Sequence, residues 1–158
     1  MTPSTLIATW FGSGLLKPAP GTWGTAAALP FAWLIAQYGG GLALFVAAVL
    51  LFPLGCWAAS RYDAGAGGHD NSEIVVDEVV GVWLTLCIVP PDILHYALGF
   101  VLFRVFDIIK PWPIRWADRR VGGGFGVMID DVIAGLFAAA SLYGIGYVVQ
   151  TLTDGGSL

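Results

Sequence analysis

Charged residues are scarce in this chain of 158 residues, at 11% against the roughly 25% that is usual for a soluble domain. Hydrophobic residues make up 57% of the chain, and its mean hydropathy is +0.78. Such a composition lacks the polar residues needed to cover a water-facing surface, which argues against a soluble globular protein. The sequence therefore predicts an integral membrane protein, and its length fits one domain over residues 1–158.

Signatures of nucleic-acid binding, nucleotide binding and disulfide bonding are also missing. The seven lysines and arginines form no block basic enough for nucleic acid. The glycine run at 122–126 lacks both the dinucleotide fingerprint and the lysine of a phosphate-binding loop. Cys56 and Cys87 lie inside apolar runs without framework spacing, which predicts buried thiols and no disulfide or metal site. The N-terminus has no basic region before its short apolar piece and does not resemble a cleaved signal.

Apolar runs interrupted by glycine and proline predict an all-α, polytopic membrane bundle of about five helices, some of them short or re-entrant. A short helix or interfacial piece comes first, followed by a loop from Gly12 to Gly24. Gly39–Gly41 predicts a tight turn that makes the first two spanning helices a hairpin. The predicted helices cover residues 25–38, 42–60, 74–89, 93–109 and 127–151, with polar loops at 61–73 and 112–126 and a polar tail from 153.

The basic residues all fall on one side of these five spans, while the other side has the glycine turn, the Pro90–Pro91 break and the tail. Cytoplasmic loops of membrane proteins carry the excess of lysine and arginine, so this side is predicted to be cytoplasmic. The residues on that side are Lys17, Arg61, Arg104, Lys110, Arg115, Arg119 and Arg120.

The stretch 103–118, FRVFDIIKPWPIRWAD, concentrates charge at a membrane edge, where charge is costly and usually functional. Arg104, Asp107 and Lys110 are spaced three residues apart and share one side of a helix. Pro111 and Pro113 then end that helix. The resulting turn is predicted to fold Arg115 and Asp118 back over a site for an anionic headgroup.

Carboxylates occur at the predicted cytoplasmic ends of three helices, as Asp77–Glu78, Asp107 and Asp130–Asp131. Acids in the first turn of a helix are favoured by its dipole, which accounts for Asp77 and Asp130 without any function. Asp107 comes late in its helix, where the dipole disfavours a carboxylate. Carboxylates that converge from several helices form a hard oxygen site suited to Mg²⁺.

Basic side chains beside these acids are candidates for binding phosphate. Arg104 and Arg115 present guanidinium groups that bind phosphate oxygens bidentately, and Lys110 supplies a point charge. Lys17 is a fourth candidate in the N-terminal loop. Four other side chains are assigned no role in catalysis or binding: Arg119 and Arg120 are expected to be cytoplasmic anchors, His69 a solvated loop residue, and His95 a packed or hydrogen-bonded helix residue.

Four blocks of the chain together resemble the phosphatidylglycerophosphatase A family of bacterial membrane phosphatases, in order and in spacing. They are GSGLLKPAPGTWGT (12–25), DNSEIVVDEVVG (70–81), FRVFDIIKPWPIRWAD (103–118) and GGFGVMIDDVIAG (123–135). The resemblance implies Mg²⁺-dependent removal of the terminal phosphate of phosphatidylglycerophosphate at the bacterial cytoplasmic (inner) membrane. It places the family's acidic positions on Asp77, Glu78, Asp107, Asp130 and Asp131, and its basic positions on Arg104 and Lys110.

With this resemblance, we expect Mg²⁺ to be held by Glu78, Asp107, Asp130 and Asp131, with Asp77 as a ligand or directly behind the ligands. The favoured nucleophile is a water activated by the metal, and Arg104 and Lys110 stabilise the phosphoryl oxygens. A carboxylate nucleophile is the competing route. It is disfavoured because the chain lacks the D-x-D motif of enzymes that form an aspartyl phosphate.

Two other classes of protein remain open as alternatives. A small transporter or ion-binding membrane protein also has intramembrane acids and broken helices. However, the chain contains no visible repeat, and its charges gather at one membrane face. Another lipid-headgroup enzyme, such as an alcohol phosphotransferase, would carry a dense Asp/Gly/Ala-Arg motif that this sequence does not contain.

Overall fold

The apolar runs of the chain fold into α-helices in the computed structural model, which describes residues 1–66 and 71–154. Within these residues no β-strand is present, and the all-α prediction is confirmed. The predictions for His69 and for the tail from residue 155 onward lie outside the described part. The described helices are α1 (Pro3–Ala8), α2 (Pro20–Ala66), α3 (Val76–Leu86), α4 (Ile93–Ile109), α5 (Ile114–Arg120) and α6 (Gly123–Asp154), with a 3₁₀ turn at Ser13–Leu15.

The predicted hairpin corresponds to α2, whose two arms meet at a non-helical residue, Gly40, with φ 72° and ψ −179°. Glycine is favoured there because a side chain is strained at positive φ. The first arm begins at Pro20, five residues before the predicted start, since proline is well suited to the first turn of a helix. The second arm continues to Ala66, so the predicted loop from Arg61 is wrong for its first six residues.

Helix α3 lies between the two arms of α2 and forms the centre of the fold. A β-carbon on Gly24, in the first arm, would lie 2.4 Å from Val75, and one on Gly55, in the second arm, would lie 3.4 Å from Val76. The Trp83 indole donates a hydrogen bond to the Ala28 carbonyl at 3.1 Å. Every residue of α3 except its two acids is buried, so nearly the whole helix is core.

The bounds of α3 are narrower than the predicted 74–89. At its start, the Val75 amide donates to the Ala8 carbonyl at 2.8 Å, which ties this residue to α1 and holds it outside the helix. At its end, Pro90 and Pro91 follow a short turn, because residues before proline avoid helical geometry. With 11 residues, α3 is about 17 Å long and is one of the short helices that the prediction allows for.

Close contact between α3 and α6 depends on glycine. A β-carbon on Gly135 would lie only 2.4 Å from the Gly81 carbonyl oxygen. The Thr85 hydroxyl lies 3.0 Å from the Gly81 carbonyl oxygen and 3.2 Å from that of Gly135, so it bridges the two helices. On the same side, a β-carbon on Gly81 would meet the Phe103 ring of α4. Three helices therefore converge at the level of Gly81, one turn from the acids at the start of α3.

Helix α4 has the predicted bounds, 93–109. Asp92 caps its N-terminus by accepting a hydrogen bond from the His95 amide at 3.0 Å, and this bond lowers the pKa of the Asp92 carboxyl. The His95 ring is also hydrogen-bonded to Asp92, at 2.6 Å. At the other end of α4, Lys110 adopts the left-handed conformation directly before Pro111. The Pro90–Pro91 break and Pro111 therefore mark the two ends of this helix in the sequence.

The predicted loop over 112–126 is wrong, because α5 occupies residues 114–120 and α6 begins at Gly123. Ile114 and Ala117 are spaced three residues apart and are both buried, which is the apolar stripe of a surface helix. The early start of α6 places Asp130 and Asp131 two turns inside the helix, so their predicted first-turn position is also wrong.

Helices α2 and α6 are long and apolar enough to cross a membrane. Only 28% of the most apolar stretch of each is buried, so most of that apolar surface faces outward. Such a surface is stable against lipid and costly against water. This arrangement supports membrane association and agrees with the helical membrane bundle predicted from composition.

The glycine contact between α3 and α6 gives a test of the fold. We expect Gly135→Ala to lower thermal stability in detergent by about 1–3 kcal/mol, because the added carbon forces the two backbones apart. Gly144→Ala on the same helix is the control, since no atom lies within 4 Å of its added carbon. Equal melting temperatures for the two variants would contradict the proposed packing.

Candidate active site

A cavity of about 680 Å³ opens at the end of the bundle where α3 begins and α4 ends. The start of α2, the end of its second arm, α5 and the first two turns of α6 complete its wall. Its polar lining in the described chain consists of Asp63, Asn71, Ser72, Asp77, Glu78, Arg104, Asp107, Lys110, Asp118, Arg119, Arg120, Asp130 and Asp131.

Three carboxylates form the tightest group in this cavity. Asp77, Glu78 and Asp131 each place an oxygen within 4.8 Å of the other two. The first two come from the first turn of α3, and Asp131, which is buried, comes from α6. Within the described chain, Glu78 Oε2 is buried and has no hydrogen-bond partner. Since buried like charges repel and an unpaired buried oxygen is costly, this donor set suits a hard divalent cation.

Arg104 on α4 connects the acids of α3 and α4. Its Nη1 atom lies 2.6 Å from Asp107 Oδ2 and 3.6 Å from Glu78 Oε1, and all three side chains are mostly buried. The contact with Asp107 is close, but it is not aligned as a hydrogen bond. Among the described residues, Arg104 Nε also lacks an acceptor, so this guanidinium has donors available for a bound anion.

Lys110 occupies a strained backbone position at the end of α4, with φ 46° and ψ 60°. Its Nζ atom lies 2.5 Å from Asp118 Oδ1 and 2.7 Å from Asp130 Oδ2. Burial acts to lower the pKa of Lys110, but the hydrogen bonds that its ammonium group donates to Asp118 and Asp130 outweigh this effect and raise the pKa. Lys110 therefore remains a cation at neutral pH and joins α4, α5 and α6.

The cavity carries an excess of negative charge. Among the residues that the structure describes, seven carboxylates and four basic side chains line it. At neutral pH with all of them ionised, that leaves three uncompensated negative charges in a partly buried space. Added positive charge beside these carboxylates would therefore favour the entry of a phosphate, itself an anion.

The structure brings together seven of the nine predicted site residues. Asp77, Glu78, Asp107, Asp130, Asp131, Arg104 and Lys110 all line the one cavity. Lys17 and Arg115 are not among its described lining residues. Arg115 instead lines a neighbouring cavity, and its Nη2 atom donates to the Ile109 carbonyl at 3.4 Å.

The carboxylates are arranged differently from the predicted set of metal ligands, which was Glu78, Asp107, Asp130 and Asp131. Asp77 completes the tight group with Glu78 and Asp131. Asp107 and Asp130 instead contact Arg104 and Lys110. The Asp107 and Asp131 carboxyls remain close enough to interact, so all five predicted acids belong to one network.

Several lining residues were not predicted from the sequence. Asp63, which falls in the predicted polar loop 61–73, is buried and accepts a hydrogen bond from the Asn71 side chain at 2.7 Å. Arg119 and Arg120, which the sequence predicts to be cytoplasmic anchors, line the cavity with exposed side chains. The neighbouring pair Tyr62 and Glu73 also form a hydrogen bond across the same two segments. The sequence signal that could have identified Asp63 is its position three residues beyond the predicted end of the apolar helix, where the helical pattern continues.

The fold and the cavity define a helical membrane protein whose site pairs a carboxylate cluster with an arginine and a lysine, an arrangement suited to phosphate esters. The chain belongs to the phosphatidylglycerophosphatase A family, whose sequence profile matches residues 6–146. This match confirms the resemblance inferred from the four sequence blocks.

Curated relatives agree with this family. The chain is 42% identical to phosphatidylglycerophosphatase A of Escherichia coli over 146 residues, covering 92% of this chain and 84% of the relative. It is 41% identical to the Haemophilus influenzae protein of the same name, covering 93% and 91%. A putative phosphatidylinositol-3-phosphatase of Bacteroides thetaiotaomicron is 40% identical, covering 84% and 87%. No solved structure matches the chain.

The paired contacts of Lys110 can be tested by a mutant cycle. Lys110→Met leaves the Asp130 carboxylate buried without its cation, and we expect a loss of about 1–3 kcal/mol in stability. Adding Asp130→Asn removes the stranded charge, so the double variant should be more stable than the two single effects predict. Thermal unfolding in detergent measures this, and strictly additive effects would show that the pair is not coupled.

Proposed function

We propose that this chain hydrolyses the terminal phosphomonoester of phosphatidylglycerophosphate, giving phosphatidylglycerol and inorganic phosphate. The observation that carries the proposal is the convergence of seven acidic and basic side chains in one cavity of a chain that belongs to this family. The acyl chains remain in the bilayer while the headgroup enters the cavity. This division explains why the phosphatase is embedded in a membrane.

Arg104 and Lys110 bind the phosphoryl group in this proposal. Arg104 has an unpartnered Nε among the described residues, and its planar guanidinium matches two phosphate oxygens at once. Lys110 keeps its positive charge between Asp118 and Asp130 and acts as a point charge beside the bound group. Both cations stabilise the charge that spreads over the equatorial oxygens as the phosphoryl group transfers.

Mg²⁺ fits the oxygen donors of the cavity. Asp77, Glu78 and Asp131 would hold it, with Asp107 and Asp130 next to them. When bound, the ion supplies positive charge that offsets the phosphomonoester and makes water a better nucleophile. Glu78 Oε2 and Asp130 Oδ1 are buried oxygens without partners in the described chain, so they are available as ligands or as acceptors for a proton.

Water is the favoured nucleophile. It attacks phosphorus opposite the glycerol oxygen and gives up one proton, the bond from phosphorus to the glycerol oxygen breaks, and that oxygen takes up one proton, so the products are phosphatidylglycerol and inorganic phosphate. A carboxylate nucleophile is the competing route. In the structure, Asp107 is paired with Arg104 and Asp130 with Lys110, and these contacts reduce the nucleophilicity of the two carboxylates.

The chain is proposed to be a multi-pass protein of the bacterial cytoplasmic membrane with the cavity on the cytoplasmic face. Arg104, Lys110, Arg119 and Arg120 all line the cavity, so four of the seven basic residues gather at this end of the bundle. Cytoplasmic enrichment of basic residues supports this orientation.

Phosphate release from phosphatidylglycerophosphate by the purified chain tests the activity. We expect Asp107→Asn and Asp131→Asn each to lower the rate by about 100-fold or more, because Asp131 would hold the metal ion and Asp107 orients Arg104 beside the reacting phosphate. Asp154→Asn, at the exposed end of α6, is the control and should retain full activity. Folded Asp107 and Asp131 variants with normal rates would refute the proposed site.

Adding and removing Mg²⁺ tests whether the cavity binds this ion, with a readout that does not depend on activity. We expect Mg²⁺ to raise the melting temperature of the wild-type chain in detergent, since a ligand that binds the folded state stabilises it. Excess chelator should reverse the shift and abolish phosphate release. Asp131→Asn should lose the Mg²⁺-dependent shift while Asp154→Asn keeps it. A shift of the same size in both variants would place the ion elsewhere.

A further inference from the structure

A second cavity, of about 420 Å³, lies directly beside the first and has the opposite charge. Four basic side chains line it, and its described lining includes no carboxylate. Lys110, Arg119 and Arg120 line both cavities, so the two are contiguous. Arg115 belongs to the second cavity alone.

Helix α5 borders both cavities, since its Arg119 and Arg120 line both of them. Ile114 and Ala117 are its buried side, and Asp118 projects into the first cavity to meet Lys110. Arg115 and Arg119 are four residues apart, so they share the outer side of the helix. The aromatic rings of Trp112 and Trp116 line the second cavity beside these arginines.

The arginines of the second cavity are available to bind an anion. Arg104 and Lys110 each contact two carboxylates, whereas no carboxylate in the described chain lies within ion-pair distance of Arg115, Arg119 or Arg120. Arg115 makes one long hydrogen bond, to the Ile109 carbonyl, and its remaining donors are open. Because no carboxylate in the described chain pairs with these three arginines, their positive charge is available to an anion without help from a metal ion.

The tryptophans indicate the depth at which that anion lies. Trp112 is 81% exposed and Trp116 is 55% exposed. Exposed tryptophan in a membrane protein is favoured at the level of the lipid headgroups, where the phosphodiester of a phospholipid is found. The terminal phosphate of the proposed substrate lies one glycerol unit beyond that phosphodiester, and the first cavity adjoins the second through their shared lining.

We propose that this second cavity, which we call the diester subsite (Trp112, Arg115, Trp116, Arg119 and Arg120), binds the phosphodiester of the substrate while the first cavity holds its terminal phosphomonoester. This inference rests on the proposed function. Arg115 is then the residue that distinguishes a lipid with two phosphates from a lipid with the phosphomonoester alone. The subsite makes recognition of the headgroup depend on the spacing between its two phosphates.

The test compares two competitors of phosphatidylglycerophosphate hydrolysis by the full chain in neutral detergent micelles. Phosphatidylglycerol carries the phosphodiester without the phosphomonoester, and phosphatidic acid carries the phosphomonoester without the phosphodiester. Arg115→Ala should raise the inhibition constant of phosphatidylglycerol about ten- to a hundredfold, the loss expected for a charged hydrogen-bonded contact. It should lower kcat/KM for the substrate by a similar factor and leave the inhibition constant of phosphatidic acid within about twofold.

Two further variants separate this effect from general charge and from loss of folding. Arg61→Ala removes an exposed arginine that lines neither cavity, and it should change none of these constants. Arg115→Lys retains the charge but loses the bidentate geometry, and it should fall between Arg115→Ala and the wild type.

Several results would overturn the diester subsite. They are an equal rise in both inhibition constants, no change in either, and failure of phosphatidylglycerol to inhibit the wild type. Inhibition that is not competitive with substrate, or activation by phosphatidylglycerol, would assign the cavity to a neighbouring membrane lipid instead. Phosphate release by the wild type reports separately on the proposed function, because it does not depend on how the competitors differ.

Discussion

Burial of like charge is the constraint on which the rest of this structure depends. Asp77, Glu78 and Asp131 place oxygens within 4.8 Å of one another at the end of an apolar bundle. Such a group repels itself and loses hydration, so it is stable only beside cations. Arg104 and Lys110 supply part of that charge from the end of α4. The remaining deficit is the physical reason that a divalent ion belongs in the proposed mechanism.

The packing of the helices places the charges at this distance. Glycine at positions 81 and 135 allows α3 and α6 to approach until their backbones are in contact, and Thr85 bridges the carbonyls there. Larger residues would separate the first turn of α3 from Asp131 and weaken the site while its residues remained unchanged. Small residues in the apolar core thus serve the chemistry of a polar cavity one turn away.

Local signals predicted some of these features, and three-dimensional contacts decided the others. The ends of α4 were predictable because Asp92 and Pro111 act within a few residues of them. The five acids were predictable because charge is unusual in so apolar a chain. Helix α5 was missed since its apolar stripe is only Ile114 and Ala117. The membership of Asp77 in the tight carboxylate group depends on where α6 packs against α3, which no local pattern encodes.

The two adjacent cavities carry opposite charge, which determines the orientation in which a lipid with two phosphates binds. At the diester subsite, a lipid with two phosphates meets arginines that no carboxylate in the described chain neutralises. At the first cavity it meets a cluster of carboxylates. An anion alone is therefore attracted to the diester subsite and repelled from the first cavity. In the proposed mechanism, tight occupation of the first cavity depends on both an anchored headgroup and a cation. Once the terminal phosphate leaves, the remaining lipid contacts only the diester subsite. Loss of the phosphoryl group therefore weakens binding and favours product release.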